Sequence, residues 1–151
     1  MTDGDAVFNE CPGVVPATGP GRIVYVAAAA LVDADGRVLV AQRTAGRHAG
    51  EWEFPGGKLE AGERPEQALI RELDEELGIR TAESCLAPCG FASHDYGDFH
   101  LVLLLFACRK WQGRTEGRQG QPVKWVRVPE LFNLEMPPAD RPLLGLLAAL
   151  L

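Results

Sequence analysis

The sequence is short of several things, and each shortage closes off a class of function. No apolar run is long enough to cross a bilayer: Val24 to Val32 falls far below the roughly 20 residues that a spanning helix needs. The N-terminus has no basic patch followed by an apolar segment, so no export signal is expected. Positive charge is scarce, with 15 Lys and Arg against 21 Asp and Glu and a net charge of −6. That balance argues against a nucleic acid polymer as partner, because backbone binding draws its affinity from clustered Lys and Arg. The four cysteines, Cys11, Cys85, Cys89 and Cys108, lack the paired spacing of a zinc site, and His48, His94 and His100 do not complete one. Four reduced thiols in a cytoplasmic protein are the expectation.

What is present suits one compact domain of 151 residues, 46% of them apolar. Residues 1–21 are rich in Gly, Pro and Asp and read as a flexible lead-in, leaving 22–151 as the domain. Arg22 to Val32 predicts a buried strand, Asp33 to Gly36 a turn, and Arg37 to Gln42 a second strand. A short strand over Trp52 to Pro55 precedes the pair Gly56-Gly57. The strongest helix runs from Arg64 to Leu77, with Glu63 as an electrostatic cap, Pro65 in the first turn and Gly78 as the stop. Strands follow over Cys85 to His94, His100 to Lys110 and Val123 to Val128, then a helix from about Asp140 to Leu150. Strands in runs, with helices between and after them, predict an α/β sandwich built on a mixed sheet.

Leu69, Leu73 and Leu77 form an apolar stripe at helical spacing. Glu72, Glu75 and Glu76, at i, i+3 and i+4, project from another side. Three clustered carboxylates repel one another unless a cation compensates, and hard oxygen donors suit Mg²⁺ or Mn²⁺. Such a face is a platform for phosphoryl chemistry, and a divalent ion lets an acidic protein hold a phosphate substrate. Taken alone, the stretch reads first as a solvated face with weak Arg71–Glu75 type ion pairs.

The residues upstream change that reading. Gly57, five residues, Glu63, seven residues, then Arg71-Glu72-Leu73-Asp74-Glu75-Glu76-Leu77-Gly78-Ile79 resembles the Nudix box without a departure. The box covers Gly57 to Ile79, and the family's strand order can be followed from about Arg22 to the C-terminus. The resemblance implies a Nudix-like α/β/α sandwich with a mixed β-sheet. It implies that Glu72, Glu75, Glu76 and the carbonyl of Gly56 hold Mg²⁺, with Mn²⁺ as an alternative. Arg71 is then expected to fix a glutamate carboxylate through a fork-shaped ion pair, and Glu63 to orient the loop at the helix start. Glu72 is the first candidate to deprotonate the attacking water. Lys58 is either a phosphate contact or a solvated loop charge.

Trp52 to Lys58 is similar to the approach to the box in the MutT-type branch, which hydrolyses oxidised purine nucleoside triphosphates such as 8-oxo-dGTP. Arg43, His48 and the segment Met136 to Asp140 fall where that branch binds its nucleotide. Phe54 reads either as a stacking partner for the base or as a core residue, and Trp111 as structural. Two positions depart from the branch. Asp140 stands where Asn is frequent, and an ionised Asp only accepts hydrogen bonds; alternatively it caps the last helix. Gln119, ahead of Gly120-Gln121-Pro122, stands where a Glu often approaches the metal, so either metal binding is altered or Glu116 substitutes. The expected activity is cleavage of 8-oxo-dGTP or another nucleoside triphosphate to the monophosphate and pyrophosphate, by a monomer or homodimer acting on small nucleotides away from any membrane. CTP or modified pyrimidine triphosphates, ADP-ribose and dinucleoside polyphosphates are alternative substrates. A non-catalytic ligand-binding regulator on the same fold is the alternative outside enzymes.

Overall fold

The computed structural model describes residues 21–151, so the expected flexible lead-in lies, all but Gly21, outside the described residues. The alanine-rich run near the start forms β1 (Ile23–Leu31), which is buried on both faces because its side chains alternate between two cores. Ala28, Ala30 and Val32 belong to one cluster, which includes Leu143, Leu144 and Leu147. Ala27, Ala29 and Leu31 belong to the other, with Leu69, Leu73 and Leu77. These two leucine sets come from α3 (Arg141–Leu150) and α1 (Pro65–Leu77), one on each side, which gives the α/β/α layering. Small alanines suit a strand pressed from both sides, since bulk on either face would push a helix away.

β1 runs parallel to β6 (His100–Cys108) over a nine-residue register from Ile23↔His100 to Leu31↔Cys108. β5 (Leu86–Asp95) pairs antiparallel with β6, and β4 (Gly56–Lys58) pairs antiparallel with the other edge of β1. The order β4-β1-β6-β5 is a mixed sheet, as expected. A second, antiparallel sheet of three strands was not: β2 (Arg37–Gln42) lies between β3 (Trp52–Glu53) and β7 (Val123–Arg127). A one-turn helix, α2 (Val128–Leu131), follows β7.

Two helix starts differ from expectation. Arg64, not Glu63, is the N-cap of α1, and its backbone N–H donates to Gln67 Oε1 at 2.9 Å. Glu63, the residue before it, engages partners described below. Asp140 occupies the N-cap position of α3 but makes no side-chain cap bond, because its carboxyl turns inward to Phe54. The far end of α1 stops as expected. Gly78 is left-handed at φ 70°, and its N–H returns to Asp74 O at 2.9 Å.

Candidate active site

The leucine stripe of α1, buried against the β1 sheet, leaves the opposite face free to carry charge. Arg71 organises that face. Its Nε and Nη2 donate to the two oxygens of Glu63, both at 2.9 Å, while Nη1 donates to Glu72 at 3.0 Å and Glu75 at 3.3 Å. Nη2 also donates to the Lys58 carbonyl at 3.2 Å, tying the helix to β4. This fork holds Glu63 well below the usual glutamate range, at about 2, and raises Arg71 further. Glu63 also accepts the Glu60 N–H at 2.8 Å, so it shapes the loop that leads into α1.

Glu76 lies outside the Arg71 network. It reaches the edge of β4, where the Gly56 N–H donates to Oε2 at 3.2 Å. Burial first, and then the neighbouring charge of Glu72, push Glu76 up to about 8. The two glycines make this contact possible: a side chain on Gly56 would run into the Ala27 carbonyl, and one on Gly57 into the Glu72 carboxylate. Among the described residues no three carboxylates or imidazoles converge on one point, because Arg71 draws Glu72 and Glu75 to itself. The donors nonetheless fit a divalent cation. They are hard oxygens, and the Glu72–Glu76 pair cannot carry both charges comfortably without one. Glu72, Glu75, Glu76 and the Gly56 carbonyl would be the groups to hold it, Glu72 and Glu75 being engaged by Arg71 in this structure.

From Glu76 a cleft of about 490 Å³ runs to Asp140, lined between them by Gly56, Gly57, Lys58, Arg43, His48 and Tyr96. Asp140 is only 5% exposed, and its Oδ2 accepts the Phe54 N–H at 3.3 Å. Burial, followed by the nearby charge of Glu53, pushes it up to about 8. This direction runs against the expectation of an ionised, acceptor-only Asp140. In its protonated form the carboxyl has one O–H to donate and one oxygen to accept, the same pairing that an Asn amide offers.

Arg43 and Lys58 both reach the cleft; Arg43 is steadied by Glu53 at 3.4 Å and by a bond to the Arg47 carbonyl at 3.2 Å. His48 sits at φ 66° with its ring edge-on to Tyr96, and its Nε2 is buried without a partner among the described residues. Its Nδ1 lies 2.9 Å from Glu51, out of line for a hydrogen bond. Phe54 is 4% exposed and packs in the α3-side core, so its ring forms the cleft floor and is not a free stacking face. The other aromatic rings lining the cleft are Tyr96 and Phe99, stacked at 5.3 Å, with the Arg47 guanidinium over the Tyr96 ring.

The sequence reading missed Tyr96, Phe99 and Glu53. Glu53 follows Trp52 on a two-residue strand, and burial raises its pKa. A polar residue beside Trp and Phe in an apolar strand was the available signal. Gln119 lies with Glu76 in a side recess of this cleft, whereas Glu116 lines neither space. Trp111 stacks on Trp125 away from the cleft, at 6.0 Å between centroids.

This geometry agrees with what the chain resembles. The NUDIX domain family model matches residues 21–147. The 8-oxo-dGTP diphosphatase of Escherichia coli K12 is 34% identical over 128 residues, covering 84% of this chain and 98% of that protein. The CTP pyrophosphohydrolase of the same organism is 38% identical over 125 residues, covering 81% and 90%. The crystal structure of a MutT NUDIX hydrolase from Burkholderia pseudomallei superposes with a TM-score of 0.70 at 26% identity, over 82% of this chain and 97% of that one. An intact glutamate box on α1, a glycine-edged strand facing it and a family match over nearly the whole described length lead to one conclusion: the chain belongs to the Nudix family of hydrolases.

Proposed function

We propose that the protein is a Mg²⁺-dependent pyrophosphohydrolase that cleaves 8-oxo-dGTP, or another nucleoside triphosphate, to the monophosphate and pyrophosphate. One observation carries this reading: the buried carboxyl of Asp140 closes one end of the cleft whose other end is Glu76, the neighbour of Glu72 on α1. Base reading and phosphate chemistry are then placed at opposite ends of one cleft. The O–H and carbonyl of Asp140 complement an edge that offers one donor and one acceptor. An 8-oxoguanine has such an edge, because its N7 carries a proton beside O6. Guanine presents two acceptors there, N7 and O6, and leaves the Asp140 carbonyl facing a lone pair.

In the reaction, Lys58 and Arg43 contact the phosphates while His48 and Tyr96 flank the nucleoside. Bound Mg²⁺ (or Mn²⁺) supplies charge neutralisation on the diphosphate. Glu72 accepts the proton of a water attacking the β-phosphorus, and the bond from that phosphorus to the α-bridging oxygen breaks, so the monophosphate leaves. Arg71 and Glu63 keep Glu72 aimed. The two-step network from Glu63 through Arg71 to Glu72 and the intact box disfavour a purely ligand-binding role.

CTP is the second reading, favoured by the same Asp140. The N3 acceptor and N4 donor of cytosine also match a carboxylic acid at two points, and a CTP pyrophosphohydrolase is among the relatives. The deciding measurement is pyrophosphate release with Mg²⁺ from 8-oxo-dGTP, dGTP, CTP, dCTP and ADP-ribose. The primary reading requires 8-oxo-dGTP to exceed dGTP by at least tenfold in kcat/KM; equal rates would refute it, and a lead for CTP would install the second. Free nucleotides in the cytoplasm, met by a monomer or homodimer, are the setting we infer. Free thiols at Cys85, Cys89 and Cys108 support a reducing compartment. No described helix is long and apolar enough to cross a membrane.

A further inference from the structure

Beside the main cleft lies a recess of about 200 Å³, between the loop after β2 and the loop before β7. Arg43, Glu53 and Glu76 line both spaces. The remaining wall carries no charge. It offers the amides of Gln42, Gln119 and Gln121 and the hydroxyl of Thr44. At roughly 30 Å³ per water, the recess has room for several waters or for a diphosphate tail.

The wall is built with care around Gln119. Its backbone N–H donates to Gln121 Oε1 at 2.9 Å, and Gln121 Nε2 donates to the Glu76 carbonyl at 3.1 Å. Arg118 N–H donates to the same carbonyl at 2.8 Å, and Glu116 N–H to the Leu77 carbonyl at 3.1 Å. Gly117 has no side chain because one would meet the Gln121 backbone. The loop is thus hooked to the end of α1 through Gln121, one residue's backbone away from the Glu76 carboxyl. The Gln119 side-chain amide itself makes no hydrogen bond among the described residues and lines the recess.

We propose that this recess seats the terminal phosphates of the substrate, with the Gln119 amide donating to a phosphate oxygen and Gln121 acting as the positioning residue that holds it beside Glu76. The assignment deepens the triphosphate reading above and rests on it. A carboxylate at position 119 would face a phosphate with like charge, whereas an amide supplies a donor. Gln119 therefore presents a phosphate-seeking group to the recess. It makes the length of the phosphate chain, and not only the base, a determinant of specificity.

The test uses the whole protein in Mg²⁺, with inorganic pyrophosphate and a nucleoside monophosphate titrated separately by calorimetry. Gln119→Ala should weaken pyrophosphate roughly tenfold, the worth of one hydrogen bond to a charged group, and leave the monophosphate unchanged. Gln119→Glu should weaken it more. In kinetics the same variants should raise KM for a triphosphate but not for the matching diphosphate. Gln121→Leu should copy Gln119→Ala and add nothing to it in the double variant, since it acts through Gln119; full additivity would overturn the positioning role. Unchanged pyrophosphate affinity in Gln119→Ala, or an equal loss for the monophosphate, would overturn the seat. Failure of the wild type to hydrolyse any triphosphate while the pyrophosphate result holds would instead remove the activity reading and leave the seat standing.

Discussion

Arg71 and Glu63 meet as two parallel arms, each 2.9 Å long, across the start of the acidic helix. The pair joins a loop to a helix and leaves one guanidinium nitrogen for Glu72 and Glu75. Lysine keeps the charge but not the fork. Arg71→Lys should lower kcat by about 10–100-fold, as loss of a supporting contact around a metal site does, and raise the Mg²⁺ concentration for half-maximal rate. Turnover within twofold of wild type would show that the fork is dispensable.

Glu72→Gln keeps size and removes the base. Turnover should drop by about 100–10,000-fold with an unchanged circular dichroism spectrum and melting temperature. Retention of full activity would move the proton-accepting role to another carboxyl.

Asp140 gives a pH prediction with a definite sign. Its pKa is raised from 3.8 to about 8 in the folded state, so between those values the folded protein holds a proton that the unfolded chain has released. Its favourable contribution is complete below about pH 4 and is lost as pH rises to about 8. Glu76 shifts the same way, so the informative quantity is the difference from Asp140→Asn, which needs no proton. Urea midpoints at pH 5, 7 and 9 should fall less steeply for the variant. The kcat/KM for 8-oxo-dGTP should decline above about pH 8 in wild type and stay level in Asp140→Asn. Identical profiles would mean that Asp140 does not read the base as a neutral acid.

Gly78 ends α1 at φ 70°, and any side chain there would enter the space of the Arg118 guanidinium. Gly78→Ala should cost about 1–2 kcal/mol for the left-handed backbone, and Gly78→Asn less, read as shifts in the urea midpoint. A neutral alanine would show that the helix end relaxes freely.

The glutamate box was legible in the sequence because its chemistry is written in spacing along one helix. Leu69, Leu73 and Leu77 fixed the buried face, and Glu72, Glu75 and Glu76 had to lie elsewhere. What depends on distant chain segments was not legible. The charge state of Asp140 follows from being enclosed beside Glu53 and Phe54, residues far away in sequence. β4 is a strand only because Gly56 to Lys58 pairs with β1; glycines carry no strand signal of their own. An Arg71 fork onto a glutamate was expected, but that its partner is Glu63 follows from how the loop folds back on the helix. The second sheet was hidden for a similar reason: its three strands were expected, but β2 pairs with β7, far away in sequence, and no local pattern announces that partner.

The parallel pairing of β1 with β6 has a consequence for how the molecule comes into being. Ile23 finds its partner only when His100 has been made, and Leu31 only at Cys108. Until then an alanine-rich strand on the emerging chain has one long edge of backbone groups open to any other strand. Closure of so distant a pair is slow relative to local hairpins, and the exposed interval is when association with another chain competes. Substitutions that lengthen that interval should reduce soluble yield while leaving the melting temperature of the molecules that do fold unchanged.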